Sequence, residues 1–219
     1  MRVLIFGSGA HGRVVLDILR AQSNENMVEF IDGNKSLWGQ KLNGATIVGN
    51  LEHAIEKYSK NFKMVIALGN PITRLQIANQ IKEYSISLIN AIHSTAVVVP
   101  TASLSEGNMV GAMAVINSNV QVGNHVIINT AAVVEHDCVL ADGVTVSPGS
   151  QIGGRVIINR AAFISTGAII LPRISIGEEA IIGAGAVVTK DVPARVLVRG
   201  APARIFGEIN EFFDWKRVL

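Results

Sequence analysis

Residues 96–191 divide without a gap into sixteen hexads, AVVVPT ASLSEG NMVGAM AVINSN VQVGNH VIINTA AVVEHD CVLADG VTVSPG SQIGGR VIINRA AFISTG AIILPR ISIGEE AIIGAG AVVTKD. The third residue of every hexad, from Val98 to Val188, is Val, Ile or Leu. Gly, Asn, Asp, Ser and Pro gather in the last three places, where turns favour them. This period predicts a β-solenoid with one short strand per hexad.

The composition agrees with a thin and regular core. The chain has 219 residues, of which 49% are hydrophobic but only 5% are aromatic. Ten of its eleven aromatic residues lie outside residues 95–205, and Phe163 is the exception. The hexads resemble the repeat of left-handed parallel β-helices, in which three hexads make one triangular coil, so residues eighteen positions apart should stack. A triangular coil with one aliphatic side chain per face has no room for rings. The shift in composition therefore marks a boundary between two unlike domains.

Other features of the composition exclude whole classes of protein. The net charge is +2 without a basic cluster, so we expect no nucleic-acid partner. No apolar stretch is long enough for a membrane helix, and the N-terminus does not read as a signal peptide, so we expect a cytoplasmic protein without membrane association. A single cysteine, Cys138, excludes a disulfide framework and a cysteine-based zinc site.

The first 92 residues predict a small parallel α/β domain. Strands MRVLIF, MVEFID and KMVIALG alternate with three apolar-periodic helices. The loop GSGAHG after the first strand has the G-x-G-x-x-G spacing, and Asp32 ends the second strand, which together indicate a nucleotide site. Only half of a dinucleotide domain is present, so a single nucleotide fits better than NAD. Gly69, after the third strand, falls on the same sheet edge.

The hexad AVVEHD carries the candidate chemistry. A histidine flanked by carboxylates, as His136 is by Glu135 and Asp137, is a candidate general base. The alternative is a solvated polar turn. The eighteen-residue stacking places Gly154 over His136, and Arg155 and then Arg173 over Asp137. That basic column could bind an anion or form surface ion pairs, and we favour the pairs. The hexads supply two histidines and no third ligand, so we expect no metal site.

At full length the chain resembles the bacterial sugar O- and N-acetyltransferases of the sialic acid O-acetyltransferase type. It looks most similar to the enzymes that acetylate the 4-amino group of UDP-linked deoxysugars. The segments that carry the resemblance are GSGAHGRVV, FID, ALGN, NTAAVVEHDCVLAD and VRGAPAR. The resemblance implies a half-Rossmann-like α/β domain (1–92), a left-handed parallel β-helix (93–206), a short C-terminal helix (207–219) and a homotrimer with active sites between subunits. It also implies acetyl-CoA as co-substrate.

The resemblance also implies roles for particular residues. His136 would be the general base and Asp137 its partner. The nucleotide sugar would contact six residues of the α/β domain, and Asn129 would help at the acceptor. The six are Gly9, Ala10, His11, Asp32, Gly33 and Gly69. Acetyl-CoA would contact Thr145, Thr166, Gly183 and Gly185. This sequence departs from the family at Ala10, where many members have glycine, and at Asp137, where many have glutamate, so Glu135 remains a rival partner.

We therefore predict an acetyl-CoA-dependent N-acetyltransferase that acts on a UDP- or GDP-linked 4-amino sugar by direct transfer. The first alternative is an O-acetyltransferase of sialic acid or a related glycan, which would use the same fold and base. A non-catalytic nucleotide-sensing scaffold and an NAD-dependent oxidoreductase are further alternatives. Full activity after His136→Ala would favour the scaffold, and quenching of tryptophan fluorescence by NADH would favour the oxidoreductase.

Overall fold

The computed structural model describes residues 1–23, 27–210 and 213–215. Its first part is an α/β domain with five strands, three α-helices and one 3-10 turn at Lys35–Leu37. The elements are β1 (Arg2–Phe6), α1 (Ala10–Gln22), β2 (Met27–Ile31), β3 (Lys41–Leu42), β4 (Ala45–Thr46), α2 (Leu51–Tyr58), β5 (Lys63–Ile66) and α3 (Pro71–Glu83). The predicted strands and helices are all present.

The sheet of this domain is parallel and has the order β2-β1-β5. Its central strand β1 carries Val3, Leu4 and Ile5, which are fully buried because helices cover both faces. Val3 and Ile5 pack with α1, and Leu4 packs in the cluster that holds α2 and α3. Three parallel strands with helices on both sides are the predicted half-Rossmann arrangement, so the carboxyl ends of the strands meet at one edge.

The second part is a parallel β-solenoid built from two-residue strands, closed at its end by two longer ones. Its strands in chain order are β6 (Ala91–Ile92), β7 (Val97–Val98), β8 (Ser103–Leu104), β9 (Met109–Val110), β10 (Val115–Ile116), β11 (Gln121–Val122), β12 (Ile127–Ile128), β13 (Val133–Val134), β14 (Val139–Leu140), β15 (Thr145–Val146), β16 (Gln151–Ile152), β17 (Ile157–Ile158), β18 (Phe163–Ile164), β19 (Ile169–Ile170), β20 (Ser175–Ile176), β21 (Ile181–Ile182), β22 (Val187–Val188), β23 (Val196–Arg199) and β24 (Arg204–Glu208). Each hexad of the sequence contributes one strand, and the fold class is confirmed as a left-handed parallel β-helix.

Three sheets form the faces of the prism. The six-stranded face contains β7, β10, β13, β16, β19 and β22, the five-stranded face runs from β8 to β20, and the eight-stranded face runs from β6 to β24. Partners lie eighteen residues apart, as in Val115 with Val133. Third-position side chains fill the core from Val110 to Val188. The predicted stacking is therefore confirmed, and it sets which side chains are neighbours along each corner.

The α/β domain docks on the outer side of the eight-stranded face. The outward residues Met109 and Ile127 share one buried cluster with Val15 and Leu19 of α1. Farther along the same face, the outward side chain of Phe163 is also buried. On the other two faces, outward side chains such as Ile157 stay exposed. This docking brings the nucleotide edge of the α/β domain against the solenoid.

The C-terminal segment differs in part from the prediction. Gly207 and Glu208 end β24, which pairs antiparallel with β23, so the helix predicted for 207–219 does not begin at 207. The regular hexads stop at Asp191, and β24 pairs with β23 at the end of the eight-stranded sheet, which continues the sheet beyond the last coil. The rest of the predicted helix falls partly on residues 211, 212 and 216–219, which lie outside the described residues.

Candidate functional site

The glycine loop between β1 and α1 is shaped for an anion. Gly9 caps α1 without a side-chain hydrogen bond, so the first-turn N–H groups of the helix are left for a ligand. Gly12 packs so closely that a Cβ there would collide with the carbonyl oxygen of Gly7. Gly7 itself has φ +102°, a region that glycine tolerates. The loop therefore has the geometry that the sequence predicts for phosphate binding.

Asp32 braces this loop. Its Oδ2 accepts hydrogen bonds from the backbone N–H of Ser8 at 2.9 Å and from the Ser8 hydroxyl at 2.6 Å. Its Oδ1 accepts from the backbone N–H of Asn34 at 2.9 Å. Partial burial acts to raise the pKa of Asp32, but the hydrogen bonds from Ser8 and Asn34 outweigh it and lower that pKa. Asp32 is therefore ionised at neutral pH, beside the exposed Gly33.

A cavity of about 530 Å³ lies where the two domains meet. Its lining from the α/β domain is Ala10, His11, Val14 and Gly69, and its lining from the solenoid is Ile127, Asn129, Thr145, Ser147, Pro148, Phe163 and Thr166. The cavity thus brings together six of the predicted site residues: Ala10, His11, Gly69, Asn129, Thr145 and Thr166. They are separated by up to 156 positions in sequence and meet only because the domains dock.

His11 lines this cavity and its ring is neutral. Burial, with the positive charge of Arg74 as the smaller cause, lowers the pKa of His11 to about 4. Its Nε2 is buried and has no hydrogen-bond partner among the residues that the structure describes. A buried polar atom without a partner is unfavourable unless a ligand supplies one. His11 is therefore available to bind a polar group of a substrate.

His136 and Asp137 lie at a corner between the six-stranded and five-stranded faces. Nδ1 of His136 is 2.9 Å from Oδ2 of Asp137, while Oε2 of Glu135 accepts only from the backbone N–H of His136. The hydrogen bond with His136 is the main cause that lowers the pKa of Asp137, and Asn119 adds a second. The short Asp137 therefore holds the imidazole, and Glu135 does not.

Gly154 makes room for the imidazole ring. A Cβ at Gly154 would lie 2.6 Å from Nε2 and 2.8 Å from Cε1 of His136. Beside it, Nε of Arg155 is 3.6 Å from Oδ2 of Asp137, so the favoured surface ion pair is present. Both side chains are more than a third exposed, so the pair adds little stability. The ring thus rests against the backbone of the next coil with its Nε2 side facing Gly154.

Three of the four predicted acetyl-CoA residues, Thr166, Gly183 and Gly185, fall along a different corner, between the eight-stranded and six-stranded faces, and Thr145 lies in β15 on the eight-stranded face. Thr166 lies at the cavity, and the N–H of Gly185 donates to its carbonyl oxygen from the coil above. Gly185 has φ +65° and open space where a Cβ would be. A Cβ at Gly183 would instead meet Arg199 at 3.0 Å. Gly185 therefore leaves room for a ligand. At position 183, by contrast, the close packing of Arg199 within the same chain explains why the residue is glycine.

Within one chain, these residues do not form a single site. His136 and Asp137 do not line the cavity, and the width of the six-stranded face separates their corner from the corner of Asn129 and Thr166. Gly9, Asp32 and Gly33 also lie outside the cavity lining, at the nucleotide edge. In the part of the chain that the structure describes, no three His, Cys, Asp or Glu side chains converge as metal ligands, and no helix is long and apolar enough to cross a membrane.

Comparison with known proteins gives independent information. Residues 2–81 match the family model described as the PglD N-terminal domain. A crystal structure of a histidine-to-asparagine mutant of perosamine N-acetyltransferase from Caulobacter crescentus, in complex with CoA and GDP-perosamine, is 35% identical with a TM-score of 0.89 and covers 95% of this chain and 98% of that one. GDP-perosamine N-acetyltransferase of Escherichia coli O157:H7 is 32% identical over 150 residues, which are 66% of each protein.

A third relative is named for a UDP-linked sugar, whereas the first two are named for, or bound to, GDP-perosamine. UDP-N-acetylbacillosamine N-acetyltransferase of Bacillus subtilis (strain 168) is 33% identical over 108 residues, 49% of this chain and 50% of that protein. Fold and site together define a hexapeptide-repeat acyltransferase with a nucleotide-binding domain. The chain belongs to the family of bacterial sugar N-acetyltransferases that includes these enzymes. The predicted family and the predicted acetyltransferase class are confirmed.

Sequence reasoning missed two residues that shape the site. Ser8, the residue between Gly7 and Gly9, holds Asp32, and its position inside the glycine loop is the only signal for that role. Arg74 of α3 is fully buried against the solenoid. A charged residue on the apolar side of a helix is a signal for burial, but its partners on the solenoid lie 51 to 71 positions away, so spacing could not find them.

Proposed function

We propose that this protein transfers the acetyl group of acetyl-CoA to the amino group of a nucleotide-linked amino deoxysugar. The observation that carries the proposal is the cavity in which Ala10 and His11 of the nucleotide loop face Asn129 and Thr166 of the solenoid. A sugar whose nucleotide lies on the α/β domain would thereby reach the solenoid wall. GDP- and UDP-linked acceptors are both represented among the relatives, and the Caulobacter structure holds CoA and GDP-perosamine.

The proposed reaction is direct transfer without an acyl-enzyme. The neutral amine attacks the thioester carbonyl carbon, the C–N bond forms, and the C–S bond breaks to release CoA. The nitrogen loses one proton, which His136 accepts. Because a carboxylate can only accept hydrogen bonds, Asp137 requires Nδ1 of His136 to carry its hydrogen, which leaves the lone pair on Nε2. Nε2 is then the proton acceptor.

The proposed assembly is a homotrimer with active sites between subunits. In a single chain the corner of His136 is one prism face away from the cavity. A second copy of the chain could place its His136 beside the cavity of the first. Outward side chains on the six-stranded face supply apolar surface for such packing, among them Val97 at 52% exposure and Ile169 at 40%. Acetyl-CoA and nucleotide sugars are cytoplasmic metabolites, so we place the reaction in the cytoplasm.

Thiol release tests the reaction. Purified protein is incubated with acetyl-CoA and a panel of GDP- and UDP-linked 4-amino sugars, and free CoA is followed with a thiol reagent. We expect release with one acceptor class and none with the matched 4-hydroxy sugars. Release with the hydroxy sugars instead would establish O-acetylation, and no release with any acceptor would refute the proposal.

Subunit complementation tests the shared site. His136→Ala and Asn129→Ala variants are purified with different tags, and mixed trimers are isolated after co-expression. If one subunit supplies His136 and its neighbour supplies Asn129, mixed trimers contain some sites with both native residues and regain activity. If one chain supplies both residues, every site in the mixed trimers lacks one of them and no activity returns. Unmixed variants, purified in the same way, are the controls.

A further inference from the structure

Arg74 joins the two domains through all of its hydrogen-bond donors. Its side chain is only 1% exposed. A guanidinium has five N–H groups, and each one finds an acceptor. On the α/β side these are the carbonyl oxygens of Leu68 at 2.7 Å and Gly69 at 3.1 Å. On the solenoid side they are the carbonyl oxygens of His125 at 2.9 Å and Gly143 at 2.7 Å, and Oγ1 of Thr145 at 2.9 Å.

The contact with Thr145 sets the direction of that hydroxyl. Arginine cannot accept a hydrogen bond, so Oγ1 of Thr145 accepts from Arg74 and its own hydrogen must point elsewhere. Among the described residues the structure shows no acceptor for that hydrogen. Thr145 is 4% exposed and lines the cavity. A buried hydroxyl hydrogen without an acceptor is unfavourable, so an oxygen of a bound ligand is its natural partner.

The charge of Arg74 strengthens this donor. All five acceptors are neutral, so no carboxylate in hydrogen-bond contact offsets the cation. Burial lowers the pKa of Arg74 to about 9, which keeps it protonated at neutral pH. A hydroxyl that accepts a hydrogen bond from a cation is polarised and donates more strongly. The ligand oxygen best suited to this position is therefore one that carries or gains negative charge.

The position of Thr145 favours the acyl donor over the nucleotide as the source of this ligand oxygen. Thr145 stands on the solenoid wall of the cavity, whereas the nucleotide loop with Ala10 and His11 forms the other wall. We propose that Arg74 is a positioning residue that makes the Thr145 hydroxyl a charge-assisted hydrogen-bond donor to a carbonyl oxygen of acetyl-CoA. This inference rests on the proposed acetyl transfer. Both the thioester and the amides of the pantetheine arm offer such a carbonyl.

A double-mutant cycle tests the inference. The variants are Thr145→Val, Arg74→Lys and the combination, with Thr145→Ser as the control that keeps the hydroxyl. Thr145→Val should lower kcat/KM for acetyl-CoA about tenfold, the size of one good hydrogen bond, while KM for the sugar stays constant. Thr145→Ser should stay within about threefold of wild type. A fall in kcat indicates the thioester carbonyl, and a rise in KM for acetyl-CoA indicates an amide of the arm.

The coupling separates positioning from simple support of the fold. Arg74→Lys should lower kcat/KM about tenfold in the native background and less than about twofold in the Thr145→Val background, because the hydroxyl that it orients is already gone. An equal loss in both backgrounds, or wild-type kinetics of Thr145→Val, would overturn the inference. If Arg74→Lys does not fold, as judged by circular dichroism, Arg74→Gln takes its place in the cycle, with the same expected coupling to Thr145→Val and the same result overturning the inference.

Binding measurements keep the inference apart from the proposed function. If the wild-type protein releases no CoA with any acceptor, the proposed function fails. The inference is then judged by the affinity for acetyl-CoA, measured by calorimetry. Weaker binding by Thr145→Val than by Thr145→Ser supports it, and equal binding by wild type, Thr145→Val and Thr145→Ser overturns it.

Discussion

Replacement of Gly154 by alanine should disable the proposed base without unfolding the protein. The new Cβ would lie 2.6 Å from Nε2 of His136, whereas ordinary contact begins at 3.4 Å, so the ring must retreat by about 0.8 Å. Gly154 does not have a positive φ, so alanine fits the backbone. The exposed ring can move at little cost in stability, but its 2.9 Å contact with Asp137 would lengthen beyond hydrogen-bonding range.

The expected loss follows from the size of this displacement. A misplacement of about 1 Å in a catalytic group costs on the order of 10²-fold in rate, or about 2.7 kcal/mol of transition-state stabilisation. We expect kcat for acetyl transfer to fall by about this factor. The affinity for acetyl-CoA should stay within about threefold, because the new methyl group contacts His136 and leaves Thr145 and Thr166, which line the cavity, unchanged. The melting temperature should stay constant or rise slightly, since alanine restricts the unfolded chain more than glycine does.

Steady-state kinetics with thiol detection measure the effect, and thermal unfolding runs in parallel. Gly207→Ala is the matched control, because it adds the same methyl group at a position with open space and without a positive φ. It should retain wild-type kcat. Wild-type kcat in Gly154→Ala would refute the assignment of His136 as the base. A fall in kcat together with a large drop in melting temperature would instead refute the reasoning that the ring alone moves.

Three further predictions follow from the same contacts. Asp137→Asn should lower kcat roughly tenfold, because the charge that favours the protonated imidazole is lost; unchanged kinetics would remove Asp137 from the proposed mechanism. Asp32→Asn should raise KM for the sugar nucleotide about tenfold with kcat unchanged, since the carboxylate that accepts from Ser8 fixes the glycine loop; a change in kcat alone would contradict this. The folded protein should lose stability as pH falls from about 6.5 towards 4, because burial lowers the pKa of both His11 and His125 to about 4 and protons therefore bind the unfolded chain first. Each histidine should lower the free energy of unfolding by about 1.4 kcal/mol between pH 7.5 and pH 5.5. Chemical denaturation of His125→Leu should show a smaller decrease over that range than wild type. An equal decrease would rule out His125 as a cause.

The arithmetic of the hexads predicts the strand pairing along the regular coils of the solenoid. From β6 to β22, paired strands lie eighteen residues apart in register, so the neighbours of a corner residue in these coils follow from its number. Beyond the last hexad the offset changes, and Ile181 pairs with Leu197. Asn119 below Asp137 and Arg155 above it lie at 3.2 Å and 3.6 Å, and Gly154 lies against His136 as the spacing requires. These predictions succeed because a solenoid repeats one local geometry. Each coil contacts only the coils before and after it, so equivalent residues of successive coils are neighbours.

The docking of the α/β domain could not be predicted in this way. It depends on the match of two surfaces from distant parts of the chain, and no sequence period links them. Arg74 donates to three solenoid residues that lie 51 to 71 positions away, and these three hydrogen bonds exist only once the domains have met. The sequence therefore does not predict the cavity, although six of its lining residues are among the predicted site residues.

The second position of each hexad bears on which face of the prism packs against another copy. The sequence alone leaves two candidate faces, and the structure leaves one. Outward side chains are mostly apolar on two faces of the prism: the eight-stranded face with Met109 and Ile127, and the six-stranded face with Val97 and Ile169. The α/β domain covers the first of these faces in the same chain, while Val97 and Ile169 remain 52% and 40% exposed. On the proposed trimer, the six-stranded face is thus the surface that still needs a partner. Its two borders are the corner of His136 and the corner of the cavity, so packing between copies along this face would bring the base of one subunit towards the substrates of the next.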